Sequence, residues 1–156
     1  MNTLVKTTER SGWRDDVRLK KRHEMYGINC PACDIDHILI EYDRAQPRAL
    51  IEYKHEFFDE KLIASASIRA LSNLGSAAGV PAMLVKYADD FSWFDVLPIN
   101  HKAKLKLNSL GLSDDVTKGE RFKSILLQEP EFIELLYNLR DRQVPPGLVQ
   151  NLGVSM

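Results

Sequence analysis

The stretch that most constrains the fold is DIDHILIEYDRAQPRALIEYKH, residues 34–55. Two runs of β-branched and aromatic residues flank a short polar turn, and this pattern predicts a β-hairpin. Pro47 is compatible with the start of the second strand. Charged side chains at Asp36, Glu52 and Lys54 interrupt these apolar strands. A charge on a covered strand is costly unless a partner compensates it, so these three residues need an explanation.

The length of the hairpin loop decides whether the three charges meet. Side chains alternate between the two faces of a strand, and paired positions in an antiparallel hairpin have residue numbers with a constant sum. A three-residue loop puts Asp36 opposite Lys54, and a five-residue loop puts Asp36 opposite Glu52. Either loop brings all three side chains onto one face. A four-residue loop would separate them unless a β-bulge corrected the register.

Two carboxylates and an ammonium group on one face form a recognisable chemical unit. Asp36 and Glu52 are hard oxygen donors that suit Mg²⁺ or Mn²⁺, and the backbone carbonyl of Tyr53 is a natural further ligand. Lys54 could orient an attacking water or neutralise charge that develops during a reaction. The alternative is an exposed hairpin face that a Glu–Lys pair stabilises, because Glu-x-Lys is common by chance.

The rest of the chain predicts an α/β protein with α+β character, in which helices flank a mixed sheet and extra helices follow at the C-terminus. We expect a single domain over residues 1–156, with 1–12 as a loose N-terminal arm. Hydrophobic periodicity and capping residues predict the remaining elements, which are helices at about 14–26 and within 59–79, 119–128 and 130–142, and strands at 81–87 and 92–99.

Composition excludes several classes of protein. The formal net charge is −1, so any nucleic-acid site would be a local patch rather than a global field. No apolar run approaches the ~20 residues that span a bilayer, so we expect no membrane partner. The N-terminus lacks the apolar segment of a secretory signal, and only two cysteines are present, which predicts a reducing, cytoplasmic location.

The order helix, strand with Asp36, strand with Glu52-Tyr53-Lys54, helix, strand resembles the PD-(D/E)XK nuclease superfamily. Its core is αβββαβ, the restriction-endonuclease-like fold, with an Asp on one strand and (D/E)-x-K on the next. The chain is also similar to small phage and prophage members in RHEMYG, CPACDIDHILIEYDRAQPRALIEYKH, GVPAMLVKY and WFDVLPIN. It departs from the literal motif, because Ile35 rather than a proline precedes Asp36.

The resemblance implies an Mg²⁺- or Mn²⁺-dependent nuclease that hydrolyses phosphodiester bonds, with DNA as the expected substrate, through a metal-activated water. Asp36 and Glu52 would be metal ligands, and Lys54 the catalytic lysine. Many relatives add an acid from the first helix, for which Glu24 is the candidate here, with His23 beside it. Many also dimerise, although no heptad here demands a homodimer. The alternative is an inactive nuclease-fold module that binds nucleic acid or a protein partner.

Other charged and thiol groups are weaker candidates. Arg69 lies in a polar stripe of the second predicted helix and could contact phosphate, although a solvated helix face is the default explanation. If residues 101–108 were extended, they would form either a phosphate contact or a charge-protected edge strand, since three lysines alternate there: Lys102, Lys104 and Lys106. Cys30 and Cys33 have zinc spacing, but two buried thiols are the simpler interpretation.

Overall fold

The computed structural model describes residues 21–22, 25–26, 35–113 and 123–153. The chain divides into two compact units, Met1–Asp34 and Ile35–Met156. Lys21 and Arg22 are helical, as the prediction for 14–26 requires. Met25 and Tyr26 form a turn, so the helix ends before the predicted residue 26. Residues 14–20 lie outside the described residues, and so do the N-terminal arm, His23, Glu24, Cys30, Cys33 and Asp34.

The second unit contains a five-stranded mixed sheet in the order β1-β2-β3-β4-β5. Within the described ranges, β2 and β3 are the one parallel pair, and the other neighbouring strands are antiparallel. Residues 49–51 of β2 and 82–85 of β3 are all buried, which is expected of central strands covered on both faces. The strands are β1 (His37–Glu41), β2 (Gln46–His55), β3 (Ala82–Tyr87), β4 (Phe94–Pro98) and β5 (Ile125–Leu127).

Helices cover both faces of this sheet. They are a 3₁₀ helix (Glu60–Ala64), α1 (Ala66–Ala78), α2 (His101–Ser109), α3 (Glu129–Leu139) and α4 (Leu148–Asn151). On one face, Leu71 of α1 packs with Leu50 of β2. On the other face, Leu107 of α2 and Leu135 of α3 pack with Ile51. No helix in the described ranges is long and apolar enough to cross a bilayer.

A close approach of α1 to β3 depends on Gly75. A Cβ added there would lie 2.8 Å from the Cβ of Ala82 and 2.9 Å from Nδ2 of Asn100. The buried Asn100 side chain accepts from the N–H groups of Ala82 and Ala103, and it donates to the carbonyl of Val80. This asparagine therefore caps α2 and joins it to β3 at the same time.

The structure confirms an α+β fold in which helices flank a five-stranded mixed sheet. Both hairpin strands and α3, with Pro130 in its first turn, are confirmed. Gly79 ends α1 in the left-handed conformation, and Asp59 caps the preceding 3₁₀ helix.

Two assignments in the C-terminal half were wrong. The helix predicted within 119–128 is contradicted at Ile125–Leu127, which is a strand paired with β4. The segment considered as an extended strand at 101–108 is helical. In both cases tertiary contacts override the local pattern: Leu127 joins the core in a short apolar run, and Ala103 and Leu107 bury one side of α2.

Candidate functional site

The hairpin has the unfavourable loop length, and a bulge compensates for it. The loop contains four residues, 42–45, and at the turn Glu41 pairs with Gln46. The register shifts between Leu39 and Ile40, where Arg48 is the extra residue of β2. Beyond the bulge His37 lies opposite Ile51, which is the register that a five-residue loop would give. Continued by one residue, this register puts Asp36 opposite Glu52.

The Asp36 carboxylate lies at the start of β1 and is held by the backbone of β2. The N–H of Tyr53 donates to Oδ2 of Asp36 at 3.0 Å. β1 begins at His37, so the backbone ladder between β1 and β2 ends there. The Asp36 carboxylate takes the place of the backbone acceptor that the next ladder position would supply to the Tyr53 N–H. The N–H and C=O of a strand residue point to the same neighbour, so the Tyr53 carbonyl also points toward the Asp36 side of the sheet.

Glu52 and Lys54 lie on the face that α1 covers, since they follow Leu50 at intervals of two. Lys54 Nζ is 2.5 Å from Glu52 Oε1, and it also lies 5.6 Å from the centre of the Phe58 ring. The two side chains are largely buried, with 16% of Glu52 and 31% of Lys54 exposed. The ion pair is therefore partly desolvated and held against the 3₁₀ region. We define Asp36, Glu52 and Lys54 as the open-end site.

Sequence reasoning missed a second lysine beside this site. Lys86 of β3 is the Cα partner of Lys54 in the parallel ladder, so their side chains share a face. Only 16% of the Lys86 side chain is exposed, and its Nζ lies 3.4 Å from Oε1 of Glu60. The signal was present in the apolar strand AMLVKY, where a lysine follows the buried Leu84 at an interval of two.

The donor set of the open-end site suits a hard cation. No residue in the described part of the chain bonds Oδ1 of Asp36 or Oε2 of Glu52. Within the same part of the chain, no three His, Cys, Asp or Glu side chains are grouped so that they could hold a metal ion. Mg²⁺ is commonly bound by one or two carboxylates and keeps several waters. Two carboxylates with a nearby carbonyl therefore fit Mg²⁺ better than an ion that needs an all-protein shell.

The weaker basic candidates lie on α1 and α2, and those on α2 are on the other face of the sheet from Glu52 and Lys54. Arg69 is exposed on α1. Lys102, Lys104 and Lys106 belong to α2, which packs on the opposite face of the sheet. On a helix, residues two apart do not share a side, so the expectation of three aligned charges was wrong for the geometry. Only Lys102 and Lys106 share a side of α2.

The other end of the hairpin carries a second charged group, which we define as the turn cluster. Its members are Glu41, Asp43, Arg48, Arg140, Asp141 and Arg142. Arg142 donates to both oxygens of the buried Glu41, at 3.2 and 3.0 Å, and holds the pKa of that carboxyl at about 2. Arg48 bonds the Leu139 carbonyl and Asp141. No local pattern announces these pairs, because their members are far apart in sequence.

Comparison with known proteins assigns no family: no protein-family model, curated protein or solved structure matches this chain. The PD-(D/E)XK resemblance thus stays a prediction that rests on the residues themselves.

Proposed function

We propose that this protein is a metal-dependent nuclease of the PD-(D/E)XK type that hydrolyses phosphodiester bonds in DNA. One observation carries the proposal. The Asp36 carboxylate is bonded to the backbone of Tyr53, the residue between Glu52 and Lys54. Two acids and a lysine thus converge around one residue of a central strand, where uncompensated charge is costly. Surface stabilisation alone would not require a partly buried ion pair on a covered face.

The order of the described elements supports the same superfamily. β1, β2, α1 and β3 follow one another as do the last four elements of an αβββαβ core. Asp36 directly precedes β1, which is the neighbour of β2, the strand that carries Glu52 and Lys54. The leading helix and strand of such a core would fall in residues outside the described ranges. We therefore include the restriction-endonuclease-like core in the proposal. We also propose that the protein is of the phage or prophage type and acts in the cytoplasm.

Asp36, Glu52 and the Tyr53 carbonyl would hold Mg²⁺ or Mn²⁺. Such an ion, when bound, supplies Lewis-acid polarisation of a phosphoryl oxygen and a counter-charge for the two carboxylates. The chain itself contributes the orientation of these ligands. The Tyr53 N–H bond sets the direction of Asp36, and the Lys54 ammonium sets that of Glu52.

The lysines supply positive charge where a phosphodiester would bind. Lys54 Nζ bonds Glu52 and lies over the Phe58 ring, so the range of the ammonium group is restricted. It can orient an attacking water and stabilise negative charge on the phosphoryl group in the transition state. Lys86, on the neighbouring strand and the same face, adds a second positive charge that favours phosphate binding.

The experiment that tests this function measures cleavage of plasmid and single-stranded DNA with Mg²⁺, with Mn²⁺ and with EDTA. We expect metal-dependent cleavage by the unaltered protein, and a loss of about 100-fold or more in Lys54→Ala and Asp36→Asn. Lys61→Ala is the matched control, because Lys61 is exposed on the 3₁₀ helix. Cleavage that persists unchanged in Lys54→Ala and Asp36→Asn contradicts the site. DNA binding without cleavage in any metal favours the inactive binding module.

A further inference from the structure

A pocket of about 440 Å³ opens on the sheet face opposite to Glu52 and Lys54. Five aromatic side chains form most of its wall: Tyr53, Tyr87, Phe91, Phe94 and Phe132. Tyr53 belongs to β2, so its ring projects away from the carboxylates that flank it in sequence. Burial raises the pKa of its phenol to about 12, so the hydroxyl stays protonated and neutral. The proposed nuclease chemistry uses none of these rings.

Three of the rings are nearly parallel. The plane of Phe94 makes an angle of 12° with that of Phe91 and 10° with that of Phe132. Tyr87 also stacks with Phe91, at 23° and a centroid distance of 5.8 Å. The face of an aromatic ring carries negative potential, so such a set favours a flat ligand, and most of all a flat cation.

Phe91 occupies its position at a conformational cost. Its φ is +58°, in the left-handed region that favours glycine, and 52% of the residue is exposed. It lies in the turn that joins β3 to β4, and its N–H donates to the carbonyl of Ala88 at 2.8 Å. An exposed aromatic residue in a strained backbone conformation contributes little to the stability of the fold. Strain of this kind concentrates at ligand sites, and Phe91 lies on the wall of the pocket.

The charge of the pocket selects the ligand. Glu129, at the start of α3, lines it and is partly buried, and no described residue bonds its carboxylate. His37 also lines the pocket, with its ring edge-to-face against Tyr53, and no Lys or Arg in the described ranges does. The turn that carries Phe91 also carries Asp89 and Asp90, which are exposed. Hydrogen bonds from Ser92 lower the pKa of Asp90, which keeps it ionised. These carboxylates repel phosphate and attract cations.

We propose that this pocket binds a guanidinium group, which stacks on the parallel rings and donates N–H bonds to Glu129. Guanidinium is planar, remains charged, stacks on aromatic faces and pairs with a carboxylate through two N–H groups. The base of a nucleotide would also stack, but the phosphates of that nucleotide would meet the acidic turn. An ammonium group is compact and strongly hydrated, so it uses parallel ring faces less well. This site is independent of the proposed nuclease activity.

Titration of the full chain, followed by NMR shifts of the pocket residues, tests the proposal without any cleavage assay. Agmatine carries guanidinium as a small molecule, and the peptide Gly-Arg-Gly carries it on a protein-like backbone. Saturable binding of either supports the site, and the tighter of the two identifies the source. Nα-acetyl-citrulline amide has nearly the same shape without the charge, and we expect it to bind about 10-fold more weakly or worse.

Two pocket variants and one control complete the test. Glu129→Gln should weaken guanidinium binding about 10-fold. Phe91→Gly should weaken it about 5-fold while thermal stability is kept, since glycine adopts the left-handed conformation freely. Phe57→Ala is the control, because Phe57 is 85% exposed and does not line the pocket. Equal binding of the citrulline or of adenosine, or unchanged binding in Glu129→Gln, overturns the proposal.

Discussion

The two ends of the hairpin carry charge in opposite ways. In the turn cluster three carboxylates meet three arginines, and the bonds connect the turn with residues near the end of α3. In the open-end site two carboxylates meet one lysine, and the partners are neighbours within the hairpin. The turn cluster is balanced, whereas the open-end site has an excess of negative charge and oxygen atoms that no described residue bonds.

This difference separates a structural role from a functional one. Arginine has a planar fork of donors that satisfies both oxygens of a carboxylate, as Arg142 does for Glu41. Such a pair leaves nothing for a ligand to bind. The single ammonium of Lys54 bonds one oxygen of Glu52 and leaves the other open to a cation. We therefore expect a Glu→Gln substitution to lower mainly the cleavage rate in the open-end site and mainly the stability in the turn cluster.

The largest expected effect is on catalysis. Glu52→Gln should lower metal-dependent DNA cleavage by about 100-fold or more, because it removes a charged metal ligand. Glu41→Gln should keep cleavage within about two-fold when it is assayed well below its melting temperature, since Glu41 lies at the other end of the hairpin. Initial rates with Mg²⁺ on one plasmid substrate measure both. Equal losses of cleavage rate in Glu52→Gln and Glu41→Gln would contradict the assignment of a functional role to the open-end site alone.

The second effect is on stability, where Glu41→Gln should have a larger effect than Glu52→Gln. Glu41→Gln leaves Arg142 and Arg140 facing a neutral amide in a buried position, so the free energy of unfolding should fall. Glu52→Gln removes the carboxylate partner of Lys54 but also relieves the excess negative charge beside Asp36, so its net effect on stability should be smaller. Urea denaturation followed by circular dichroism compares them. A lower midpoint for Glu52→Gln than for Glu41→Gln would contradict the assignment of the turn cluster as structural.

The third effect is a pH dependence specific to the turn cluster. The Arg142 hydrogen bonds hold the pKa of Glu41 at about 2, below its ordinary 4.5. Between these values the unfolded chain binds more protons than the folded one, so the stabilisation from Glu41 is complete above about pH 4.5 and is lost as the pH falls toward about 2.

The stability difference between the unaltered protein and Glu41→Gln measures this loss directly. It should shrink steadily as the pH is lowered through that window, because the variant has no group to protonate at position 41. Glu134→Gln, which alters an exposed carboxylate of α3, serves as the comparison variant. If the stability difference between the unaltered protein and Glu41→Gln stays constant down to the lowest pH, Arg142 does not lower the pKa of the Glu41 carboxyl.

The smallest effect concerns strain at the turn. Ala45 has a φ of +52° in the hairpin loop. Ala45→Gly should stabilise the protein by about 0.5–1 kcal/mol, since glycine removes the left-handed penalty and loses part of the gain to chain entropy. Ala70→Gly, at an exposed position within α1, should destabilise by about 0.5–1 kcal/mol instead. Thermal melts of the two variants measure whether stability rises or falls. A loss of stability in Ala45→Gly would contradict backbone strain at Ala45.

Local patterns predicted much of the fold. The hairpin strands and α3 follow from residue type and capping signals, and these act within a few residues of each other. Segments with short or ambiguous patterns were predicted poorly. Residues 125–127 form a strand because β4 offers an open edge for pairing, and 101–109 form a helix because Asn100 caps it and the core accepts Ala103 and Leu107.

The sequence by itself determined which chemical groups the hairpin could present: two carboxylates and a lysine at positions whose parity allows one face. Tertiary structure decided whether they meet, because the loop has the wrong length and the bulge at Arg48 restores the register. It also decided the pairing of Glu41 with Arg142 and the assembly of the aromatic pocket from β2, β3, β4 and α3. Alternation along a strand is a local property of the backbone, whereas register and long-range ion pairs depend on contacts between segments distant in sequence.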